Sequence, residues 1–356
     1  MKSMKTTIVL LGLGVTFGLL FFLPSSEYIP PLETTWNIIE DPEEKGWSIE
    51  HLNRAKEYYY SIGSTSAMAI YKGEILFHWG DVTDVSQIHS VRKSFLSALY
   101  GIQVEQTEQI SLDDTLGNIG ISDQIPLTDY EKQATIEDLL TSRSGVYLQA
   151  GEESLRMRWR RPSRERYEPG THFYYNNWDF NVLGTIYNQQ TNLDLIEQFH
   201  ETIALPLGME DFTLDNAMYK YERSRSIHPS YLFRMSTRDM ARFGQLYLQN
   251  GVWNGQQIIP HDWVHVSTSV HAHVPNSPYY GYGYMWWVAD QGDWASLGLY
   301  SAVGRYGQSI DIIPSLDLVF VHKVNSDRFF HRTFRQVNDD TRLHLLKMII
   351  DAKQTK

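Results

Sequence analysis

The sequence predicts an α/β (α+β) fold in which an antiparallel sheet is flanked by N- and C-terminal helices and carries an inserted helical part. Three observations predict it. A helix and paired strand patterns fill about 46–100, helical patterns fill about 101–269, and strand patterns with a last helix return over about 270–353. This order predicts one sheet domain that is split by the helical part, within a domain spanning 46–353.

The first part of that sheet begins with a helix. Ser48 is a candidate N-cap for a helix over Ile49 to Ser61, and "STSAMAIYKGEILFHWGD" alternates as a hairpin turning at Lys72-Gly73. A helix is expected to start near Ser90. The later strands are predicted in "GYGYMWWVAD", "WASLGLYSAVG", "QSIDIIP" and "LDLVFVHKV", before a final helix from about Asp340 to Ala352.

Residues 1–24 have the pattern of an export segment, because Lys2 and Lys5 precede an apolar run from Ile8 to Leu23. No A-x-A cleavage site follows Leu23, which favours an uncleaved signal-anchor over a cleaved signal peptide. Both alternatives place the rest of the chain outside the cytoplasm, since the lysines stay inside. Residues 25–45 are acidic and rich in proline, which predicts a linker.

Composition excludes several functional classes. The 356 residues carry a net charge of −11 and no cysteine. An acidic chain without a basic domain is not expected to bind nucleic acid, and disulfides, thiol nucleophiles and thiolate metal sites are excluded. The histidines of "HDWVH" and "HAH" lack the glutamate of a zinc protease motif, so no metal is expected. No P-loop or dinucleotide fingerprint appears outside the N-terminal segment, so no other cofactor is expected.

Ser90 and Lys93 form the first candidate catalytic pair, within "HSVRKSFLSALYG". Residues i and i+3 of a helix share a face, and the lysine falls among apolar neighbours. Partial burial favours a neutral amine, and a neutral amine beside a hydroxyl is a base beside a nucleophile. A chance S-x-x-K on an ordinary core helix is the alternative.

Two further stretches carry candidate site residues. In "EPGTHFYYNNWDFNVLG", aromatic side chains and two adjacent asparagines crowd a loop before a helix, where a phenol and an amide two residues apart can project together. In "LYSAVGRYGQSIDIIP", Gly304 and Gly307 let a strand edge approach a ligand. A packed tyrosine-rich loop and a bulged strand are the structural alternatives.

Together these stretches resemble the serine β-lactamase and penicillin-binding protein superfamily. They are most similar to its β-lactamase-related esterases and amidases, which include class C β-lactamases and 6-aminohexanoate-dimer hydrolases. "SVRKSFLSALYGI" looks like the S-x-x-K box, and "PGTHFYYNNWDFNVLG" looks like the P-G-x-x-F-x-Y-x-N segment. "STRDMARFGQLYLQNGVWNGQQIIPHDWV" and "GRYGQSIDIIPSLDLVFVHKVNSD" also look typical. The resemblance covers about Gly46 to Asp351 and implies a β-lactamase/transpeptidase-like fold.

The resemblance also implies roles for individual residues. Ser90 is the expected nucleophile, with Lys93 and Tyr175 as general base and acid. Tyr174-x-Asn176 and Tyr175-x-Asn177 both fit Y-x-N, but the spacing from Pro169-Gly170 and Phe173 selects Tyr175 and Asn177. Substrate is expected to meet Asn177, Gly304 and Arg305, whose backbone N–H would be the second oxyanion donor.

The expected function is hydrolysis of a small-molecule ester or amide through an acyl-enzyme, in a protein held at the membrane by its N-terminal segment. The third box of the family, K-T-G or H-x-G, is replaced by Ala302-Val303-Gly304 without a cation. This ranks an esterase or amidase above a β-lactamase or a D-peptidase. A non-catalytic penicillin-recognising sensor or scaffold is the competing class.

One motif has no role in the expected reaction. "LRMRWRRPSRERYE" holds six arginines in an acidic protein, at positions 156, 158, 160, 161, 164 and 166. They predict either a solvated loop, or a basic rim near the site or against anionic lipid headgroups.

Overall fold

An eight-stranded antiparallel sheet forms the centre of the computed structural model, which describes residues 36–107, 109–274, 280–334 and 337–354. Its strands lie in the order β2-β1-β13-β12-β11-β10-β9-β8, and β3-β5-β4 and β6-β7 form two small sheets. The strands are β1 Ser66–Tyr71, β2 Glu74–Gly80, β3 Ser86–Gln87, β4 Ala217–Lys220, β5 Ser230–Met235, β6 Val252–Trp253, β7 Gln256–Gln257, β8 Ala272–His273, β9 Tyr280–Tyr282, β10 Trp287–Ala289, β11 Tyr300–Gly304, β12 Gln308–Ile313 and β13 Leu318–Lys323.

Helices cover both faces of the sheet and fill most of the inserted part. They are α1 Ile49–Ser61, α2 Arg92–Gly101, α3 Ile136–Leu140, α4 Leu155–Arg160, α5 Asn177–Thr191, α6 Leu195–Phe199, α7 Leu205–Leu207, α8 Thr237–Leu248, α9 His261–Ser267, α10 Gly292–Ser296, α11 Phe329–Phe334 and α12 Asp339–Asp351. The chain belongs to the α/β class, as the sequence predicts, with helices packed around an antiparallel sheet.

The N- and C-terminal helices α1 and α12 pack together on one face of the sheet. Their apolar side chains join those of β1 and β13 in one buried core, which includes Tyr59, Ala69, Phe320 and Leu346. The fully buried Arg342 of α12 pairs with the fully buried Asp311 of β12. A buried ion pair of this kind fixes the position of the helix on the sheet more than it adds stability.

The opposite face packs against α8 of the inserted part. Gly244 makes the close approach possible, because a Cβ there would lie 2.6 Å from Val319 Cγ1 and 2.7 Å from Ile310 Cγ2. Any side chain at this position would push α8 away from β12 and β13. The helix that carries Lys93, α2, lies on the same side of the molecule, with the turn before it against β11.

Most predicted elements lie where the sequence places them, but some differ. The predicted strand "GYGYMWWVAD" is divided between β9 and β10, which pair with each other. The hairpin turns at Lys72 and Gly73, both with positive φ, which suits a two-residue turn between twisted strands. The segment "WAS" of a predicted strand lies in the short helix α10, and β11 begins only at Tyr300. The inserted part is not purely helical, because it contains β4 to β7.

The predicted signal-anchor or signal peptide over 1–24 lies outside the described residues, as does the first part of the predicted linker. The last part of that linker is bonded to the sheet edge, since Ile39 N–H donates to Ile75 O at 2.9 Å and Ile75 N–H donates to Asn37 O at 2.8 Å. Within the described ranges, no helix combines the length and the apolar character needed to cross a bilayer.

Candidate active site

Ser90 lies in a tight turn that leads into α2. The turn is a 3-10 helix over His89–Val91, and the α-helix begins at Arg92 rather than at Ser90. His89 has φ 51°, a left-handed conformation that a non-glycine residue adopts only when its surroundings hold it. Its ring is held 2.7 Å from Ser326 Oγ, and its backbone carbonyl accepts from Arg92 Nη1 at 2.8 Å. This turn fixes the backbone beside Ser90.

Lys93 lies one helical turn after Ser90 and is buried, with 2% of its surface exposed. Its Nζ lies 2.8 Å from Ser90 Oγ, 2.8 Å from Tyr175 OH and 3.2 Å from Asn177 Oδ1. Burial lowers the pKa of Lys93 well below its usual range, and the nearby Arg92 charge lowers it further. The lysine is therefore suited to act as a neutral base.

The three neighbours of Nζ fix where its protons are. A neutral amine offers two N–H donors and one lone pair. Asn177 Oδ1 can only accept, because the amide nitrogen of Asn177 donates to Glu152 O at 2.8 Å. One N–H thus goes to Asn177, and one N–H and the lone pair remain for Tyr175 and Ser90. With the N–H on the phenol oxygen, the lone pair faces the Ser90 hydroxyl.

Tyr175 stands between aromatic side chains. Its ring stacks on Trp287 at 5.6 Å between centroids and lies 4.9 Å from Phe180. Burial raises the pKa of Tyr175 to about 12, against a hydrogen bond with Ser90 that lowers it. The phenol therefore keeps its proton at neutral pH and is placed to pass it on.

The two asparagines before α5 have different surroundings. Asn176 caps the helix, since its Oδ1 accepts from Trp178 N–H at 3.2 Å while its Nδ2 donates to Val146 O and Asp179 Oδ1. Asn177 contacts Lys93 instead. Tyr174 OH donates to Met157 O, away from Lys93. The structure thus brings Tyr175 and Asn177 to the site, the pair that the spacing selects.

The end of β11 approaches the backbone of Ser90. A Cβ on Gly304 would lie 2.4 Å from Ile88 O and 3.1 Å from Ser90 N, so only glycine fits there. Arg305 follows in an exposed position, with its guanidinium over the Tyr306 ring at 5.7 Å. Its charge contributes to lowering the pKa of both Lys93 and His89.

Glu152 is a site residue that sequence reasoning missed. Its φ is 60°, its carbonyl accepts from Asn177, and its carboxylate pairs with Lys220. That carboxylate raises the pKa of Lys93, against burial and the Arg92 charge. No motif signals this role, because the loop position and the positive φ are set by tertiary contacts. In the described part of the chain, no three His, Asp or Glu side chains are grouped as metal ligands.

The arrangement of Ser90, Lys93 and Tyr175 can be compared with known protein families. The family model described as "Beta-lactamase" matches residues 51–340. The chain belongs to the beta-lactamase family. This is the family of serine hydrolases that its motifs resemble, and the match covers α1 to the start of α12.

The solved structures that match the chain share its β-lactamase/transpeptidase-like fold, and one curated relative matches part of the sequence. An uncharacterized protein of Alkalihalophilus pseudofirmus is 30% identical over 100 residues, 26% of this chain. This chain spans 30% of the length of that curated relative. A Bacillus anthracis protein assigned provisionally as a 6-aminohexanoate-dimer hydrolase has TM-score 0.65 and 22% identity, over 83% of this chain and 80% of that one. A beta-lactamase from Mycobacterium bovis has TM-score 0.58 and 17% identity, over 84% and 100%.

Proposed function

We propose that this protein hydrolyses an ester or amide through an acyl-enzyme on Ser90. One observation carries the proposal: buried Lys93 places its Nζ 2.8 Å from both Ser90 Oγ and Tyr175 OH. Nucleophile, base and a proton donor lie within hydrogen-bond reach of one another, which is the geometry that activates a serine. A structural lysine would instead be expected to reach solvent, a carboxylate or backbone carbonyls, as the buried Lys323 does with Asp84 O and Met235 O.

The steps follow from this geometry. Ser90 Oγ attacks the substrate carbonyl carbon while its proton passes to Lys93 Nζ. The N–H groups of Ser90 and Arg305 hold the oxyanion. The bond to the leaving group breaks as Lys93, through Tyr175, returns the proton to it. Water then attacks the acyl carbon while Lys93 takes its proton. The bond from that carbon to Ser90 Oγ breaks, the proton returns to Oγ, and the acid product leaves.

The substrate class follows from what β11 offers. Ala302 is buried and Val303 is half-buried. Both side chains are hydrocarbon, so neither supplies a cation or hydroxyl for a substrate carboxylate. Aromatic rings line the side of the site formed by Tyr175 and Trp287. These features favour small uncharged esters and amides over β-lactams, and the Bacillus anthracis structure, named for an amide-cleaving activity, supports including amides.

We also propose that this hydrolase works outside the cytoplasm and is held at the membrane by residues 1–24. The support is in the sequence: two lysines precede an apolar run of the length of an export segment.

Labelling with a fluorescent fluorophosphonate tests the nucleophile. We expect wild-type protein to be labelled, Ser90→Ala to be unlabelled and inactive, and the exposed Ser163→Ala to match wild type. Turnover of p-nitrophenyl acetate, nitrocefin and a D-amino acid amide on the same sample gives the substrate class. Labelling that persists in Ser90→Ala would show another nucleophile, and unlabelled wild-type protein would favour a non-catalytic binding role.

A further inference from the structure

The short helix α4, Leu155–Arg160, presents large apolar side chains to water. Leu155 is 62% exposed and Trp159 is 86% exposed. The two are four residues apart and therefore share one face of the helix. Arg156 and Arg160 have the same spacing and form a neighbouring stripe. The helix thus displays an apolar stripe and a cationic stripe side by side.

Five of the six arginines of this segment fall into two groups. Arg161 pairs with the buried Glu153 at 2.5 Å, and Arg164 pairs with the buried Glu131 at 2.5 Å. These two pairs anchor the chain after the helix. The others of α4, at positions 156, 158 and 160, are exposed, and no ion pair joins them to any residue in the described ranges. Because the chain carries a net charge of −11, this cationic cluster opposes the charge of the molecule.

The helix is held to the proposed catalytic residues by short connections. Ser154 caps it by accepting from Met157 N–H at 3.2 Å, and Met157 O accepts from Tyr174 OH at 2.7 Å. Tyr174 directly precedes Tyr175, and Asn177 bonds the Glu152 carbonyl just before the helix. The patch formed by α4 is therefore fixed at the active-site side of the inserted part.

We propose that the α4 patch, residues 155–160, docks onto an anionic lipid surface. Trp159 and Leu155 enter the headgroup region, where the amphipathic indole is favoured, and the three free arginines pair with lipid phosphates. Charge complementarity selects an anionic surface, since guanidinium groups match phosphate oxygens in pairs. Because Leu155 and Trp159 are both exposed on one face of this helix, they can enter a lipid surface together. The proposal depends on neither the N-terminal segment nor the proposed chemistry.

Because the chain contains no cysteine, one environment-sensitive probe can be placed at will. The full chain carries an NBD fluorophore at Leu155→Cys, or at Met218→Cys on β4 as the matched control, which is also 62% exposed. Any capture of the chain by its N-terminal segment affects both labelled proteins equally. We expect phosphatidylglycerol vesicles to blue-shift and brighten the probe at 155 but not at 218, and phosphatidylcholine vesicles to change neither.

Replacing all three arginines by glutamine, with the probe kept at 155, should weaken the response to phosphatidylglycerol about a hundredfold in lipid concentration. The near-UV circular dichroism and the urea midpoint of that variant should stay at the wild-type values, which shows that the fold is intact. The proposal is overturned by an unchanged probe at 155, by equal changes at 155 and 218, or by equal responses to the two lipids. A response at 155 to an acidic protein but not to vesicles would also overturn it.

Discussion

Lys93→Met separates catalysis from stability. Methionine has similar length and no charge, so it fills the buried space while removing the base. We expect kcat/KM to fall about 10³-fold, the scale of a general base. We also expect the stability of the variant to depend on pH differently from that of wild type, because the proton of Lys93 is bound differently in the two states of the wild-type chain.

The sign of this pH dependence follows from the linkage between proton binding and folding. Burial lowers the pKa of folded Lys93, whereas the unfolded lysine titrates near 10.4. Between these two pKa values the unfolded state binds one more proton than the folded state, so unfolding free energy rises with pH. The wild type therefore gains up to about 1.4 kcal/mol per pH unit relative to Lys93→Met. The relative gain accumulates over the whole pH interval between the lowered pKa of folded Lys93 and that of the unfolded lysine.

Urea unfolding of both proteins at half-unit pH steps measures this difference, with equal m-values as the check that the same transition is compared. The hydrogen bonds that Lys93→Met loses add an offset that does not vary with pH, so only the slope is interpreted. Stability curves that stay parallel from pH 7 to 10 would show that Lys93 is charged in the folded protein, and the base assignment would fail.

Three other predictions concern the active site, the cap of α5 and the buried ion pair of α12. Tyr175→Phe should lower kcat at least tenfold with little change in KM, whereas Tyr174→Phe should keep near wild-type kcat; steady-state kinetics that show the reverse would shift the motif by one residue. Asn176→Ala removes a helix cap and two buried hydrogen bonds, and should cost about 2–4 kcal/mol of unfolding free energy in urea. Arg342→Met leaves Asp311 buried without its cation and should cost about 3–5 kcal/mol, most of it recovered by adding Asp311→Leu.

Local patterns in the sequence predict an element correctly where interactions between neighbouring residues determine its structure. Lys72-Gly73 predicts a tight hairpin because glycine supplies the positive φ that the turn needs. Ser48 predicts the start of α1 because its side chain satisfies a free N–H of the first turn, and its Oγ does accept from His51 N–H. Tyr175 and Asn177 were selected by their spacing from Pro169-Gly170 and Phe173, which is the spacing of the family segment that this stretch resembles.

The remaining features depend on tertiary contacts and leave no local pattern. Trp286 and Trp287 are consecutive residues of the same type, yet Trp286 packs against Tyr247 in the core while Trp287 stacks on Tyr175. Six arginines look alike in sequence, but only the carboxylates that meet Arg161 and Arg164 distinguish these two from the exposed ones. Glu131 is distant in sequence from Arg164, and the spacing of Glu153 from Arg161 follows no helical pattern. The sequence therefore could not separate the paired arginines from the exposed ones.

Ala302 and Val303 of β11 carry neither a cation nor a hydroxyl, and this leads to a last prediction, on substrate preference. A penicillin presents a fixed carboxylate, and a hydrogen bond to a charged group contributes about 1.5–3 kcal/mol. Ala302 is fully buried, so a lysine there would place an unpaired ammonium in the core. Val303 is half-buried, and threonine has nearly its shape with one added hydroxyl.

We therefore expect Val303→Thr to raise kcat/KM for nitrocefin about tenfold and to leave kcat/KM for p-nitrophenyl acetate within twofold of wild type. Val303→Ala is the control for the effect of lost side-chain volume. Wild-type protein should prefer the ester. If wild type already prefers nitrocefin, another group meets the carboxylate, and Arg305 at the end of the same strand is the first to replace. If Val303→Thr changes both substrates equally, the hydroxyl does not face the bound carboxylate, and the alignment of β11 with the third box is wrong.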